Sequence, residues 1–369
     1  MAARVYLDHN ATTAVKPDVW EAIEALPALP YNPSSVHSYG REARRLVEEA
    51  RKRLLQAVGA DDSYQCVFTA SGSEANNLAL KGVVSDLLLV SAIEHASVLQ
   101  CEHATTKLIP VTEAGIVDVT ALEAMLAEAT GTVCISVMLA NNETGIIQPI
   151  IAIAALAARY HALLHCDAVQ AFGKIAVDIK TLGIDMLTLS AHKCGGLLGA
   201  AALVVKKKIA LKAVIQGGGQ ERGMRSGTEN VPAIVGFGTA AMTAEHYNAA
   251  RIAMLRDRLE EALPKAVIIG KDQQRLPNTS MMIMPAVSSE VQIIDFDLQG
   301  IAISAGSACS SGKVTVSHVL LAMGVTKAAA SCAIRVSLGE STIEDDIKQF
   351  IAVWNELYSR QSKHAANVF

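Results

Sequence analysis

Short apolar runs alternate with longer amphipathic or alanine-rich segments over the first two thirds of the chain. From residue 41 to residue 58, apolar side chains recur at helical spacing, and Arg and Glu occupy the opposite face. Continuous apolar runs follow, and segments of helical length separate most of them: 65–69, 87–91, 132–139, 162–166, 186–189 and 200–205. Apolar strands that alternate with helices predict an α/β fold, with a mostly parallel sheet covered by helices on both faces.

The pattern changes beyond about residue 244, which indicates a second domain. A long helical segment ends near residue 263, shorter strands follow, and a terminal helix is predicted near residues 343–358. The length of 369 residues also favours two domains. We expect a large domain over residues 15–247 and a smaller α+β domain formed by residues 1–14 and 248–369.

Composition narrows the class of protein. Hydrophobic residues make up 51% and charged residues 18%, which excludes a disordered chain. The net charge of −4 gives no reason to expect a nucleic-acid partner. No run of 18 apolar residues indicates a membrane span, and the first residues lack a signal-peptide pattern. Seven scattered cysteines without a C-x-x-C pair favour a reducing compartment, and we expect the cytoplasm.

Polar side chains follow three of the predicted strands. The segment from Thr69 to Asn77 leads from an apolar run through small residues into a helix, an arrangement that can bind an anion or can be an ordinary helix cap. Asp167 ends another apolar run, and Lys193 follows a third. A lysine, a carboxylate and a phosphate cradle are together what pyridoxal 5'-phosphate (PLP) requires.

The chain resembles the cysteine desulfurases of the NifS/IscS type, which belong to the fold type I PLP-dependent transferases. That family has a large domain with a mostly parallel sheet flanked by helices and a smaller α+β domain. The resemblance extends nearly from end to end and rests on the following motifs: Tyr6-Leu7-Asp8, Asn10-Ala11-Thr12-Thr13, Asn32-Pro33-Ser34-Ser35, Glu94-His95, Asn141-Asn142-Glu143-Thr144-Gly145, Asp167-Ala168-Val169-Gln170, Ser190-Ala191-His192-Lys193, residues 217–230 and 304–311, and Ile334-Arg335-Val336-Ser337-Leu338-Gly339.

The resemblance implies a set of cofactor-binding residues. Lys193 matches the lysine that forms the Schiff base, and Asp167 the carboxylate that pairs with the pyridinium nitrogen. Gln170 would donate a hydrogen bond to the phenolic oxygen of the cofactor. His95 would stack on the ring and move protons, and Asn142 would lie beside the ring and orient the substrate. Phosphate binding falls to Gly72, Ser73, Ser190, His192 and, across a homodimer, Thr228.

The resemblance also implies an activity. Arg335 matches the arginine that binds the substrate carboxylate, and a guanidinium fork suits that contact. Cys309 matches the cysteine that accepts sulfur from L-cysteine as a persulfide while L-alanine is released. It lies in a run of small polar residues, as an accessible reactive thiol would. The sulfur would then pass to an iron–sulfur scaffold protein or another sulfur carrier.

Several alternatives accompany this interpretation. Cys309 could be an incidental surface thiol, and the chain could be a selenocysteine lyase or a catalytically silent partner protein. His95 could have a purely structural role, and the nearby Cys101-x-His103 lacks a second ligand pair, so no metal is expected. One departure from the family lies after Lys193, where Leu197-Leu198 stands in place of Pro-Lys.

Overall fold

The computed structural model describes residues 4–101, 103–308 and 314–366. The strands are β1 Val5–Tyr6, β2 Tyr64–Thr69, β3 Leu87–Ser91, β4 Thr106–Ile109, β5 Val133–Ser136, β6 Leu163–Asp167, β7 Met186–Ser190, β8 Ala201–Lys206, β9 Val267–Ile268, β10 Thr279–Ile283, β11 Ile301–Ala302, β12 Ser304–Ala305, β13 Ser307–Ala308, β14 Val314–Thr315 and β15 Ala333–Ser337. The helices are α1 Pro17–Glu24, α2 Ser38–Ala57, α3 Gly72–Gly82, α4 Ala96–Leu99, α5 Val119–Glu128, α6 Ile150–Arg159, α7 Val231–Met242, α8 Ala249–Glu261, α9 Ser289–Leu298, α10 His318–Ala322, α11 Lys327–Ala330 and α12 Glu344–Ala366.

A seven-stranded sheet forms the centre of the larger part of the molecule, in the order β2-β8-β7-β6-β5-β3-β4. The five strands from β7 to β4 run parallel to one another. Strand β8 runs antiparallel to both β2 and β7. The prediction of an α/β fold with a mostly parallel sheet is therefore confirmed.

Both faces of this sheet are buried, because alternate side chains of each strand contact different helices. In β3, Leu87 and Leu89 belong to the core cluster on the face of α2 and α7, whereas Leu88 and Val90 belong to the cluster on the face of α3. The two clusters explain why these strands appear in the sequence as continuous apolar runs.

Some element bounds differ from the sequence prediction. Strand β4 was not predicted, because only Ile109 of its residues is buried at the edge of the sheet. The helical segment expected from about residue 244 to 263 is a 3-10 turn at Ala244–His246 followed by α8. The break has a local cause, since the Asn248 side chain accepts a hydrogen bond from the Arg251 N–H and caps α8 there.

A second, antiparallel sheet lies in the C-terminal third, in the order β12-β15-β10-β9. Its own core is formed by side chains of α8, α9 and α12, among them Phe296, Phe350 and Trp354. The N-terminal strand β1 pairs with β11 beside this sheet. We keep the division into residues 15–247 and residues 1–14 plus 248–369 as a proposal, which these separate cores support. No helix in the described ranges combines the length and apolar character that crossing a membrane requires.

Candidate active site

The candidate site lies at the carboxyl ends of neighbouring parallel strands. Strand β6 ends at Asp167, and β7 ends at Ser190 and continues into a single 3-10 turn, Ala191–Lys193. Because β6 and β7 are paired and parallel, their last residues meet at one edge of the sheet. A cavity of about 690 Å³ opens at this edge. Its lining includes these predicted site residues: Gly72, Ser73, His95, Asn142, Asp167, Gln170, Ser190, His192, Lys193 and Arg335.

Lys193 holds its amine against backbone oxygens at one side of the cavity. Its Nζ donates to the carbonyl oxygens of Asn10 and Ala11, the latter at 2.6 Å. Burial and the positive charge of Arg335 lower the pKa of Lys193 to about 8. Near neutral pH, the uncharged and therefore nucleophilic fraction of this amine is larger than that of an ordinary lysine.

The Asp167 carboxylate is held by two donors and faces the same cavity. Asn76 Nδ2 donates to Oδ2 at 2.8 Å, and the backbone N–H of Val169 donates to Oδ1 at 2.9 Å. The Asp167 residue is only 7% exposed. These contacts fix the direction of its remaining lone pairs, as a carboxylate that binds a ring N–H requires.

The donors around His95 determine which of its ring nitrogens carries the proton. The backbone N–H of Ser97 donates to His95 Nδ1 at 3.1 Å, so Nδ1 must offer a lone pair. Ser97 Oγ accepts from Asn76 Nδ2 at 2.9 Å and lies 2.8 Å from the same Nδ1. Neutral His95 therefore carries its proton on Nε2.

The environment of His95 also disfavours a second proton. Burial and the charges of Lys193 and His318 lower the pKa of His95, against the opposing attraction of Asp167. A second proton would have to enter at Nδ1, where it would displace the bond from the Ser97 N–H. His95 is thus held as a neutral imidazole that can donate from Nε2.

An anion cradle forms where α3 begins. Ser71 caps this helix by accepting from the Glu74 N–H at 3.2 Å, so the capping alternative holds for Ser71, and both Ser71 and Ser73 line the cavity. A Cβ atom at Gly72 would approach a methyl carbon of Val169 to 3.2 Å, so a side chain there would narrow the cradle. Ser190 Oγ is buried beside it without a hydrogen-bond partner among the described residues. Helix N–H groups and this hydroxyl suit a phosphate.

Two of the three guanidinium nitrogens of Arg335 already have hydrogen-bond partners. Its Nη2 pairs with Asp8 Oδ1 at 2.7 Å, and its Nη1 donates to the Asn142 carbonyl at 3.0 Å. The buried Nε has no partner in the described part of the chain. Nε and the second hydrogen of Nη2 lie on the same side of the guanidinium group. This side can therefore bind a carboxylate through two hydrogen bonds.

Thr228 and Cys309 are not placed in this cavity. Thr228 is exposed and does not line the cavity, and the resemblance assigns it to the site of a second copy. Cys309 lies outside the described residues. Gly306 and Thr315, on either side of the segment that contains it, both line the cavity. The chain therefore enters and leaves this segment beside the site.

Four other cysteines are unsuited to act as nucleophiles. Cys66, Cys134, Cys166 and Cys194 are fully enclosed, and burial raises the pKa of each thiol, to about 12 for all but Cys166. A buried thiol with a raised pKa supplies almost no thiolate near neutral pH. Cys101 and Cys332 do not line the cavity.

Four side chains that shape the site are not among the site residues predicted from the sequence: Asp8, Asn76, Ser97 and Lys174. Asp8 and Asn76 stand inside quoted motifs, but their partners come from distant parts of the chain. Lys174 had a signal in the sequence, because it is a lysine in the otherwise apolar and small segment 171–177, four residues after Gln170. Neither Leu197 nor Leu198, the departure from the family, lines the cavity, and Leu198 is exposed.

Comparison with known proteins places the chain in a family. The aminotransferase class-V family matches residues 5–350. A cysteine desulfurase of Cereibacter sphaeroides is 40% identical, with 95% of this chain and 94% of that protein covered. The cysteine desulfurase IscS of Dictyoglomus turgidum is 37% identical, with 98% and 96% covered. The structure of a NifS-like protein from Rickettsia africae superposes with a TM-score of 0.90 at 38% identity, with 97% of this chain and all of that chain covered.

Proposed function

Since the chain belongs to the aminotransferase class-V family and matches cysteine desulfurases along nearly its whole length, we propose that it is a PLP-dependent cysteine desulfurase. The reaction converts L-cysteine to L-alanine and transfers the sulfur to Cys309 as a persulfide. The observation that carries this proposal is the convergence of Lys193, Asp167 and Arg335 on one cavity. Gly306 and Thr315, which flank the segment containing Cys309, line the same cavity.

The residues of the cavity fit PLP. The Ser190 hydroxyl, which has no hydrogen-bond partner among the described residues, the N-terminus of α3 and Gly72, which carries no side chain, would provide a cradle for its phosphate. Asp167 is oriented by Asn76 to accept from the ring nitrogen, and the Lys193 amine can attach the cofactor. We also assign Gln170, His192 and Asn142 to the cofactor, since each lines the same cavity. Bound PLP supplies an electron sink for charge that develops at the Cα of the substrate.

The chain's own residues divide the remaining work. Arg335 binds the substrate carboxylate through Nε and one terminal nitrogen, and Asn142 helps to orient the substrate. Lys193 Nζ takes the proton from Cα. The Cys309 thiolate then forms an S–S bond to the substrate sulfur, and the electron pair of the broken C–S bond stays with the carbon that becomes alanine. His95, a neutral imidazole, donates a hydrogen bond from Nε2 to the reacting substrate, and the proton that Lys193 has taken can return to the substrate carbon.

The wider setting completes the proposal. The enzyme works as a homodimer in which Thr228 reaches the phosphate of the second copy's cofactor, and the exposure of Thr228 outside its own cavity supports this assignment. It acts in the cytoplasm and passes sulfur to an iron–sulfur scaffold protein or a sulfur carrier, with no nucleic-acid or membrane partner. L-Alanine formation from L-cysteine tests the activity. Faster turnover of selenocysteine without persulfide would indicate a selenocysteine lyase, and a protein that is colourless with PLP would indicate a silent partner.

Arg335→Ala should raise the KM for L-cysteine about ten- to a hundredfold and change PLP affinity much less. The reason is the loss of a charge-assisted bidentate contact, worth roughly 1.5–3 kcal/mol. Steady-state kinetics and a PLP titration measure the two quantities. Arg335→Lys keeps the charge without the fork, so its KM for L-cysteine should lie between those of the wild type and Arg335→Ala. An unchanged KM in Arg335→Ala would assign the carboxylate to another residue.

Covalent capture of PLP by the cofactor-free protein should depend on pH with a midpoint near 8. Only the neutral amine of Lys193 reacts, and its pKa is lowered to about 8, so the capture rate should rise with pH and level off above that value. Stopped-flow absorbance measures the rate. Arg335→Ala removes a charge that lowers this pKa and should move the midpoint upward. A wild-type midpoint near that of an ordinary lysine, about 10.4, would contradict this account of the amine.

A further inference from the structure

Lys174 is a buried amine for which the reaction described above has no use. The residue is 6% exposed, and it lies on a turn that follows β6, four residues after Gln170. Its Nζ donates to Gln170 Oε1 at 2.8 Å and to Asn10 Oδ1 at 3.0 Å. No acidic side chain forms an ion pair with it within the described ranges. A buried lysine without a counter-ion is costly to a fold and calls for an explanation.

The donors and acceptors around Lys174 are matched in number. A neutral amine has two N–H donors, and the amine here has two amide oxygens as acceptors. Burial and the positive charges of Lys193 and Arg335 lower the pKa of Lys174 well below its usual range. In its neutral form the amine satisfies both oxygens without an unpaired charge or an unpaired donor.

These two bonds determine how Gln170 is oriented. Because its Oε1 accepts from Lys174, the amide nitrogen takes the other direction, where Nε2 donates to the Asn10 carbonyl at 2.9 Å. Nε2 has a second hydrogen, and Gln170 lines the cavity. A flipped amide would place its oxygen against the Asn10 carbonyl, acceptor against acceptor, and would leave one Lys174 N–H without its acceptor.

Asn10 connects this arrangement to the amine of Lys193. The Asn10 carbonyl that accepts from Gln170 also accepts from Lys193 Nζ. The Asn10 side chain is fixed in turn, since its Oδ1 also accepts from Asn278 and its Nδ2 donates to Thr279. Because Asn10 keeps these contacts without Lys174, a change at Lys174 reaches the cofactor site through Gln170, and Lys174 itself does not line that site.

We propose that Lys174 is a positioning residue that holds the Gln170 amide with its N–H toward the cofactor. The inference rests on the proposed function, because it assigns the free Gln170 N–H to an oxygen of bound PLP. Loss of the Lys174 amine should let the Gln170 amide rotate, so that its oxygen faces the cofactor in part of the molecules.

A double-mutant cycle tests this proposal. PLP is titrated into cofactor-free wild type, Lys174→Met, Gln170→Met and the double variant, and affinity and the absorption maximum of the bound cofactor are recorded. Lys174→Met should weaken PLP binding about five- to tenfold, in line with the loss of an oriented hydrogen bond, and should shift the maximum. The double variant should resemble Gln170→Met alone, because Lys174 acts through Gln170. Multiplicative effects, or an unchanged affinity and spectrum in Lys174→Met, would overturn the proposal.

Two further variants separate positioning from folding. Lys16→Met is the control for loss of a shielded lysine. Lys16 is partly buried, but its amine contacts the Thr243 carbonyl and Glu340, so this variant should leave PLP affinity and spectrum unchanged. Lys174→Gln retains N–H donors and should recover part of the affinity lost in Lys174→Met; failure to recover any would also count against the proposal. If wild type itself does not bind PLP, the proposed function fails. If wild type binds PLP and the cycle shows no coupling, only the role of Lys174 fails.

Discussion

Replacing Lys193 by alanine should eliminate the borohydride-reducible attachment of PLP and lower cysteine desulfurase activity by at least about 10²- to 10⁴-fold. The loss is large because one amine has two tasks, attachment of the cofactor and removal of the Cα proton. Both depend on its position between the Asn10 and Ala11 carbonyls at the edge of the cavity. Labelled borohydride reduction followed by peptide mapping measures the attachment, and alanine formation measures the activity.

A matched control is Lys206→Ala, which removes a lysine that pairs with Asp185 at 2.8 Å and does not line the cavity. This variant should retain the label on the Lys193 peptide and most of the activity. A label on a different lysine in the wild-type protein would refute the assignment of Lys193. Attachment that persists in Lys193→Ala would refute it equally.

Replacing Cys309 by serine should reduce sulfide release from L-cysteine in the presence of a reductant to near background. Serine keeps the size and polarity of the side chain but offers a hydroxyl that is not ionised near pH 7, so the substrate sulfur has no nucleophile to attack it. PLP binding and the spectral change on adding L-cysteine should persist, since they depend on Lys193, Asp167 and Arg335. Sulfide assays and absorbance titrations separate the two effects.

Cys332→Ser is the control for Cys309→Ser. Cys332 is only partly buried but lies outside the cavity lining, so its replacement should leave sulfide release unchanged. Selenocysteine is a second control, because an enzyme that expels selenium without covalent capture would retain that activity in Cys309→Ser. Full sulfide release by Cys309→Ser would exclude Cys309 as the sulfur acceptor.

The sequence predicted the central sheet well because burial on both faces leaves continuous apolar runs. It did not reveal β4, whose residues Thr106, Lys107 and Leu108 are exposed at the sheet edge and lack that pattern. The antiparallel direction of β8 was also inaccessible, since an apolar run has the same appearance in either direction. Direction depends on the connections and on the partners of the strand.

The candidate site was predictable where a reactive side chain stands near the end of a predicted strand. Asp167 stands at the end of one apolar run and Lys193 four residues after the end of another, so their meeting at one edge followed from the parallel arrangement. The contacts that tune them did not follow. Ser97 determines the protonated nitrogen of His95, and Asp8 occupies part of Arg335, through contacts that only the folded chain creates. Lys174 is similar, because its importance depends on the absence of an acidic partner among the described residues.

The most direct test of the account is a peptide mass measurement on the PLP-loaded enzyme after reaction with L-cysteine without a reductant. The proposed reaction leaves the sulfur of L-cysteine as a persulfide on Cys309 while alanine is released. We therefore expect the Cys309 peptide to gain the mass of one sulfur atom, together with about one alanine per site, as a single covalent transfer requires. Sulfur on a different cysteine, or alanine formed with no sulfur on any peptide, would contradict the account.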